Sequence, residues 1–210
     1  TTVNSYAHSF TTPNRKDPLF INLRIKSNDT NVYPAVAKSV HEHLKSTLFE
    51  GKITKDTLMK DIKDKTVLVI DKTIHRNYKD YHDCNDPQQK CIKLSHSVNL
   101  ESGSDKLNMI RYNEIFEQKH IPIMIHDDNI TTNLEYMKLV VPDLLNDNLH
   151  NPDINDLVIH YGAQMVPFCF YKKDIQLEKY EEFFNENRSA FVPLGVAIAY
   201  FKKLNDLENE

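Results

Sequence analysis

The amino-acid sequence predicts an α/β fold, with short buried strands alternating with amphipathic helices. Two stretches carry that expectation. The run Thr66-Val67-Leu68-Val69-Ile70 is apolar and rich in β-branched residues, as a strand covered on both faces requires. Further on, Tyr161-Gly162-Ala163-Gln164-Met165-Val166-Pro167-Phe168-Cys169-Phe170 reads as a helix stop followed by a buried strand, flanked on both sides by helical spacing.

Taken from the N-terminus, Asp17-Pro18 leads into a strand over 17–26, where Leu19, Ile21, Leu23 and Ile25 alternate with Phe20, Asn22 and Arg24. In a barrel of parallel strands the face toward the helices is apolar, and the lumen face carries polar groups near the strand's C-terminal end. Asn22 and Arg24 are therefore expected to point inward. A long helix follows, with start signals over 28–31, an apolar face of Val36, Ala37, Val40, Leu44 and Leu48, and Gly51 as its stop. His41 and His43 lie two residues apart on it, which rules out an i,i+4 ligand pair. A short helical stretch with Leu58 and Ile62 precedes the strand over 66–72. Asp71 and Lys72 close that strand, at the end where α/β barrels place functional groups.

Residues 74–104 are polar and histidine-rich without strong periodicity, so they are expected to form an excursion from the core. Apolar segments at 108–116, 121–125 and 139–142 follow, the last a short strand. Asn151-Pro152-Asp153 opens a helix packed through Leu157 and Val158, which Gly162 ends. The strand over 164–170 and the polar turn Lys172-Lys173-Asp174 lead to a helix packed through Leu177, Tyr180, Phe183 and Phe184. A last helix is expected over 196–204, after Pro193.

A length of 210 residues, with 4 glycines and 9 prolines, suits one globular domain over 1–210. A net charge of −4 and scattered basic residues give no electrostatic footprint for nucleic acid. No apolar run approaches the roughly 20 residues that cross a bilayer, and the N-terminus lacks the pattern of a signal peptide, so no transmembrane segment and no secretion are expected. The sequons at Asn28, Asn129 and Asn187 carry little weight in so asparagine-rich a chain.

Cys84, Cys91 and Cys169 are an odd, sparse set, which favours a reducing compartment over a disulfide-stapled secreted fold. Cys169 reads as a core residue. Cys84 and Cys91 share a polar segment with His75, His82, Asp83, Asp86 and His96, but the spacing C-x6-C matches no common zinc pattern. Neither a metal nor a cofactor is expected.

Asp17-Pro18-Leu19 with Leu23-Arg24-Ile25-Lys26-Ser27 resembles the fourth-strand region of the phospholipase C-like phosphodiesterase barrels of large DNA viruses of eukaryotes. Gly162-Ala163-Gln164-Met165-Val166 is similar to the Gly-x-Gln-Met-Val element in the C-terminal half of that family, and 183–192 resembles the helix and closing strand after it. The similarity spans 3–201. It implies the C-terminal portion of a TIM-like barrel of the phosphatidylinositol-specific phospholipase C type, with the first strands supplied upstream in the same gene product or by a partner chain. In such a family two histidines act as general base and acid, and eukaryotic members add calcium held by carboxylates and one asparagine. The resemblance places those groups on the first four strands, and this sequence starts just before the fourth. His8 lacks the surrounding motif, so no catalytic residue is expected within the chain.

At the position matching the family's metal-binding glutamate stands Arg24, which cannot ligate calcium yet can take a cation's place beside a phosphate. Three functions follow as expectations. The first is a noncatalytic or degenerate barrel fragment, a structural or interaction component of a virion. The second is a phosphoric diester hydrolase acting on a phosphoinositide-type lipid, with catalytic histidines upstream and Asn22, Arg24 and Lys72 binding phosphate. A third is a small-molecule module with an anion pocket, in which Asp71 partners Arg24. The implied partners are the upstream half of the barrel or a second chain, other virion proteins or a phospholipid head group, and the implied location is the virion or host cytoplasm.

Overall fold

The structure is a computed structural model that describes residues 2–9, 14–84, 91–104, 106–117, 137–143 and 150–208. The apolar segment at 121–125 and the sequon at Asn129 lie outside the described residues. The chain divides into two compact units, Thr1–Lys106 and Leu107–Glu210. Both combine parallel strands with helices, so the α/β class holds. No helix among the described residues is long and apolar enough to cross a membrane.

The first unit begins with the short helix α1 (Thr2–Tyr6), then β1 (Leu19–Leu23), α2 (Val32–Leu44), β2 (Thr66–Asp71), α3 (Leu94–Ser97) and β3 (Leu100–Ser102). The strands form a parallel sheet in the order β1-β2-β3. All six residues of β2 are buried, which explains its unbroken apolar run: a central strand meets packing on both faces. Leu68 and Ile70 project from one face into a cluster with Tyr33, Ala37 and Val40 of α2, and with Tyr78, Leu94 and Val98. The register pairs Asn22 with Val69 and Val69 with Leu100, so these three share the opposite face.

Several expectations for this unit are corrected. The long helix ends at Leu44 rather than at Gly51, because the chain beyond it turns to pair with β2. Phe49 donates its N–H to the Thr66 carbonyl and Thr66 donates to the Thr47 carbonyl, each at 2.8 Å. Gly51, at φ +128°, lies in the turn beyond that exchange. The helical stretch at Leu58 and Ile62 reduces to a 3-10 turn at Met59–Asp61, with Leu58 exposed and Ile62 buried.

Nor is 74–104 wholly an excursion from the core. Leu94, Val98 and Leu100 are buried, and β3 joins the sheet within that span. Its three-residue length leaves too few alternations to register as a strand in the sequence. Asn99 makes the junction: its Oδ1 accepts from the Leu68 N–H at 2.7 Å, and its Nδ2 donates to the carbonyls of Phe49 and Gly51, each at 2.7 Å. One side chain thus ties β2, the chain after α2 and the start of β3.

The second unit holds β4 (Leu107–Arg111), α4 (Tyr112–Phe116), β5 (Met137–Val141), α5 (Ile154–Ile159), α6 (Ile175–Asn187) and α7 (Leu194–Glu208). Strands β4 and β5 are parallel, with Ile110 opposite Val140. Those two residues pack with Leu157, Val158, Phe183, Ala197 and Phe201 in one apolar cluster. Asp153 caps α5 by accepting from the Asn155 N–H, and Asp174 caps α6 by accepting from the Leu177 N–H at 2.9 Å. Helix α7 runs longer than 196–204 because the Pro193 carbonyl already accepts from Val196 and Ala197.

The strand expected over 164–170 shortens to a single bridge, in which Met165 pairs in parallel with Leu139. Three local interactions explain this. The Gln164 side chain, rather than its backbone, accepts the Lys138 N–H at 2.6 Å. Pro167 has no N–H to continue a ladder, and its carbonyl accepts from the Tyr112 hydroxyl at 2.7 Å. The Cys169 N–H is taken by Asn151 Oδ1 at 2.7 Å, which draws the chain away from β5. Gly162 does end α5, at φ +55°.

Candidate functional site

The polar groups of the first unit gather at the C-terminal ends of β1, β2 and β3. The pairing of Leu23 with Ile70 brings Arg24, the next residue, level with Asp71. Arg24 Nε lies 3.4 Å from Asp71 Oδ2; the Asp71 side chain is fully shielded and that of Arg24 is 18% exposed. The other carboxylate oxygen, Oδ1, accepts from both the N–H and the hydroxyl of Thr73, at 2.9 and 2.5 Å. Gly103, at φ +75°, permits this arrangement, since a Cβ there would collide with Thr73 Cγ2. Asn22 stands on the same face as Asp71, and its Oδ1 is shielded from solvent with no hydrogen-bond partner among the described residues. Ser102 is buried opposite Asp71, its hydroxyl directed at the Ile70 carbonyl at 3.3 Å.

Lys72 falls into a second group. Glu101 shares the face of Ile70 and accepts from the Tyr78 hydroxyl at 2.8 Å and from Lys79 Nζ at 2.6 Å, with Lys72 Nζ at 3.8 Å. Of the residues singled out in the sequence, Asn22, Arg24 and Asp71 thus occupy one face, while Lys72 pairs with Glu101 on the other. Glu101, Tyr78, Lys79 and Thr73 escaped the sequence reading. A strand of three residues shows too few alternations to place Glu101, and the other three stand outside any regular strand or long helix.

Burial alone would raise the Glu101 carboxyl, but the hydrogen bonds from Lys79 and Tyr78 and the charges of Lys79 and Lys72 outweigh it, leaving the carboxyl below its ordinary range. A depressed folded value contributes stability that is complete above the unfolded glutamate value of about 4.3 and disappears as pH falls through the folded value. Denaturant titrations at descending pH are therefore expected to show the native chain losing stability faster below that value than Glu101→Gln does. Parallel slopes would contradict the assignment. Tyr78 is pushed upward by burial first and by its bond to Glu101 second, so the phenol stays a donor.

His75, four residues beyond Asp71, has Nε2 at 2.9 Å from the Ser27 carbonyl and packs edge-on to Tyr33. His8 Nδ1 is 3.3 Å from the Arg15 carbonyl. His41 is half-buried and His43 exposed on α2.

In the second unit the Gly162-Ala163-Gln164-Met165-Val166 motif serves as a clasp on β5. Val140 donates to the Met165 carbonyl at 2.9 Å and Met165 donates to the Lys138 carbonyl at 3.0 Å. Lys138 is buried, which lowers its ammonium below the ordinary lysine range, and its Nζ donates to the Tyr161 carbonyl at 2.9 Å. The motif's residues are thus engaged in structure. No protein-family model and no curated protein matches this chain.

Proposed function

We propose that this chain contributes strands of a phospholipase C-like α/β barrel and acts as a noncatalytic structural or interaction component, in a virus particle or the host cytoplasm. The observation that carries the proposal is the pairing of Arg24 with Asp71. The Asp71 carboxylate, 3.4 Å from the guanidinium, offsets part of the positive charge that a phosphodiester would meet. Parallel strands in sequential order within each unit, and polar groups at the C-terminal strand ends of the first, support the scaffold. Among the described residues β1 stands at one end of the strand order, the side on which further strands of such a barrel would add.

A second reading, hydrolysis of a phosphoinositide-type lipid, is favoured by one feature. Glu101 is met by two ammonium groups, Lys79 at 2.6 Å and Lys72 at 3.8 Å, so that group carries two positive charges against one negative. The two readings separate on turnover. The longest natural gene product containing this chain is expected to release no inositol phosphate from phosphatidylinositol vesicles above a protein-free control. Release that Arg24→Met abolishes would establish the hydrolase instead.

A further inference from the structure

A separate cluster stands outside the strand-end groups. Cys84 and Cys91 are joined by a disulfide, with Cα atoms 5.4 Å apart, a departure from the expectation of a chain without disulfides. A ring nitrogen of His82 and the two sulfurs all lie within 4.8 Å of one another. His82 Nδ1 is shielded from solvent and has no hydrogen-bond partner among the described residues. A shielded nitrogen left unsatisfied is costly, and coordination is one way of satisfying an imidazole. Sequence spacing alone argued against a metal because C-x6-C is not a standard ligand pair. The fold supplies what the spacing lacked by bringing His82 to the two sulfurs.

We propose that His82, Cys84 and Cys91 form a Zn2+ site that exists only when the Cys84–Cys91 disulfide is reduced. Two thiolates and an imidazole are ligand types that zinc takes, and three protein ligands leave a fourth position for water or an exogenous donor. In the oxidised chain the sulfurs are bonded to each other and no thiolate is present to ligate. A dithiol reductant breaks the S–S bond, transferring two electrons and two protons to the sulfurs while being oxidised to its own disulfide. Zn2+ then replaces the two thiol protons, which pass to solvent. Metal binding and disulfide formation draw on the same two sulfurs, so each excludes the other. Bound zinc would protect both cysteines from oxidation, and oxidation would expel the metal.

The test uses the 210-residue chain in two states, untreated and reduced anaerobically with a phosphine that is then removed. Zn2+ is titrated against a chromophoric chelator. The reduced chain is expected to take up one equivalent and the untreated chain none. Co2+ in place of Zn2+ is expected to give thiolate-to-metal charge-transfer absorption in the reduced chain alone. Cys84→Ser should abolish uptake, His82→Ala should weaken it by about tenfold or more, and Cys169→Ser should leave it intact. Absence of uptake by the reduced wild type overturns the proposal, as does equal uptake by the untreated chain or by Cys84→Ser. The comparison of the two wild-type states decides the matter even where a variant fails to fold.

Discussion

Asn99→Ala is expected to destabilise the first unit by roughly 3–5 kcal/mol, since it strands three backbone groups at about 1–3 kcal/mol for each one left buried without a partner. Asn99 is 3% exposed, and its amide serves the Leu68 N–H and the carbonyls of Phe49 and Gly51. The groups belong to two separate stretches, β2 and the chain after α2, so the loss is not repaired by a shift of one loop. Chemical denaturation of the wild type and the variant measures the effect as a lower midpoint at similar slope. A loss under about 1 kcal/mol would mean that water replaces the amide, contrary to the shielding of this junction. Asn151 plays the same part in the second unit, accepting from the Cys169 N–H and donating to the Lys172 carbonyl at 3.2 Å.

Arg24→Met is expected to cost roughly 2–4 kcal/mol, because removing one member of a shielded ion pair leaves the other charge uncompensated. Asp71 retains the two bonds from Thr73 on Oδ1, while Oδ2 loses the guanidinium. The double variant Arg24→Met with Asp71→Asn removes the stranded charge and keeps an acceptor for Thr73, so most of the loss should be recovered. A double-mutant cycle in denaturant gives the coupling directly. Equal losses in the single and double variants would show that Arg24 stabilises through packing of its aliphatic stem.

Strong local patterns were legible in the sequence. The β2 run, the alternation of β1, the apolar face of α2 through Val40 and the helix carrying Leu177 and Phe183 are all written as short-range periodicity. Elements settled by distant partners were not. Strand β3 is three residues long and depends on β2, and the strand expected after Gln164 is interrupted by Asn151 from a remote turn. The two asparagines that organise the units were lost among many others, because a side-chain amide bonded to three backbone groups has no sequence signature. At the strand ends, the alternation through Asn22 and Arg24 located one face of the cluster. Glu101 and Tyr78 on the other face come from the segment that reads as an excursion, and the approach of His82 to the two cysteines is likewise a product of folding.

The central claim is that Arg24 is committed to Asp71 and not held ready for a phosphate. Titration of inositol 1-phosphate into the isotopically labelled chain, with the Arg24 Nε–H resonance observed by NMR, tests this most directly. The account predicts no saturable shift of that resonance up to millimolar ligand. A saturable shift that Asp71→Asn strengthens would contradict it and restore the strand ends to the role of a phosphate site.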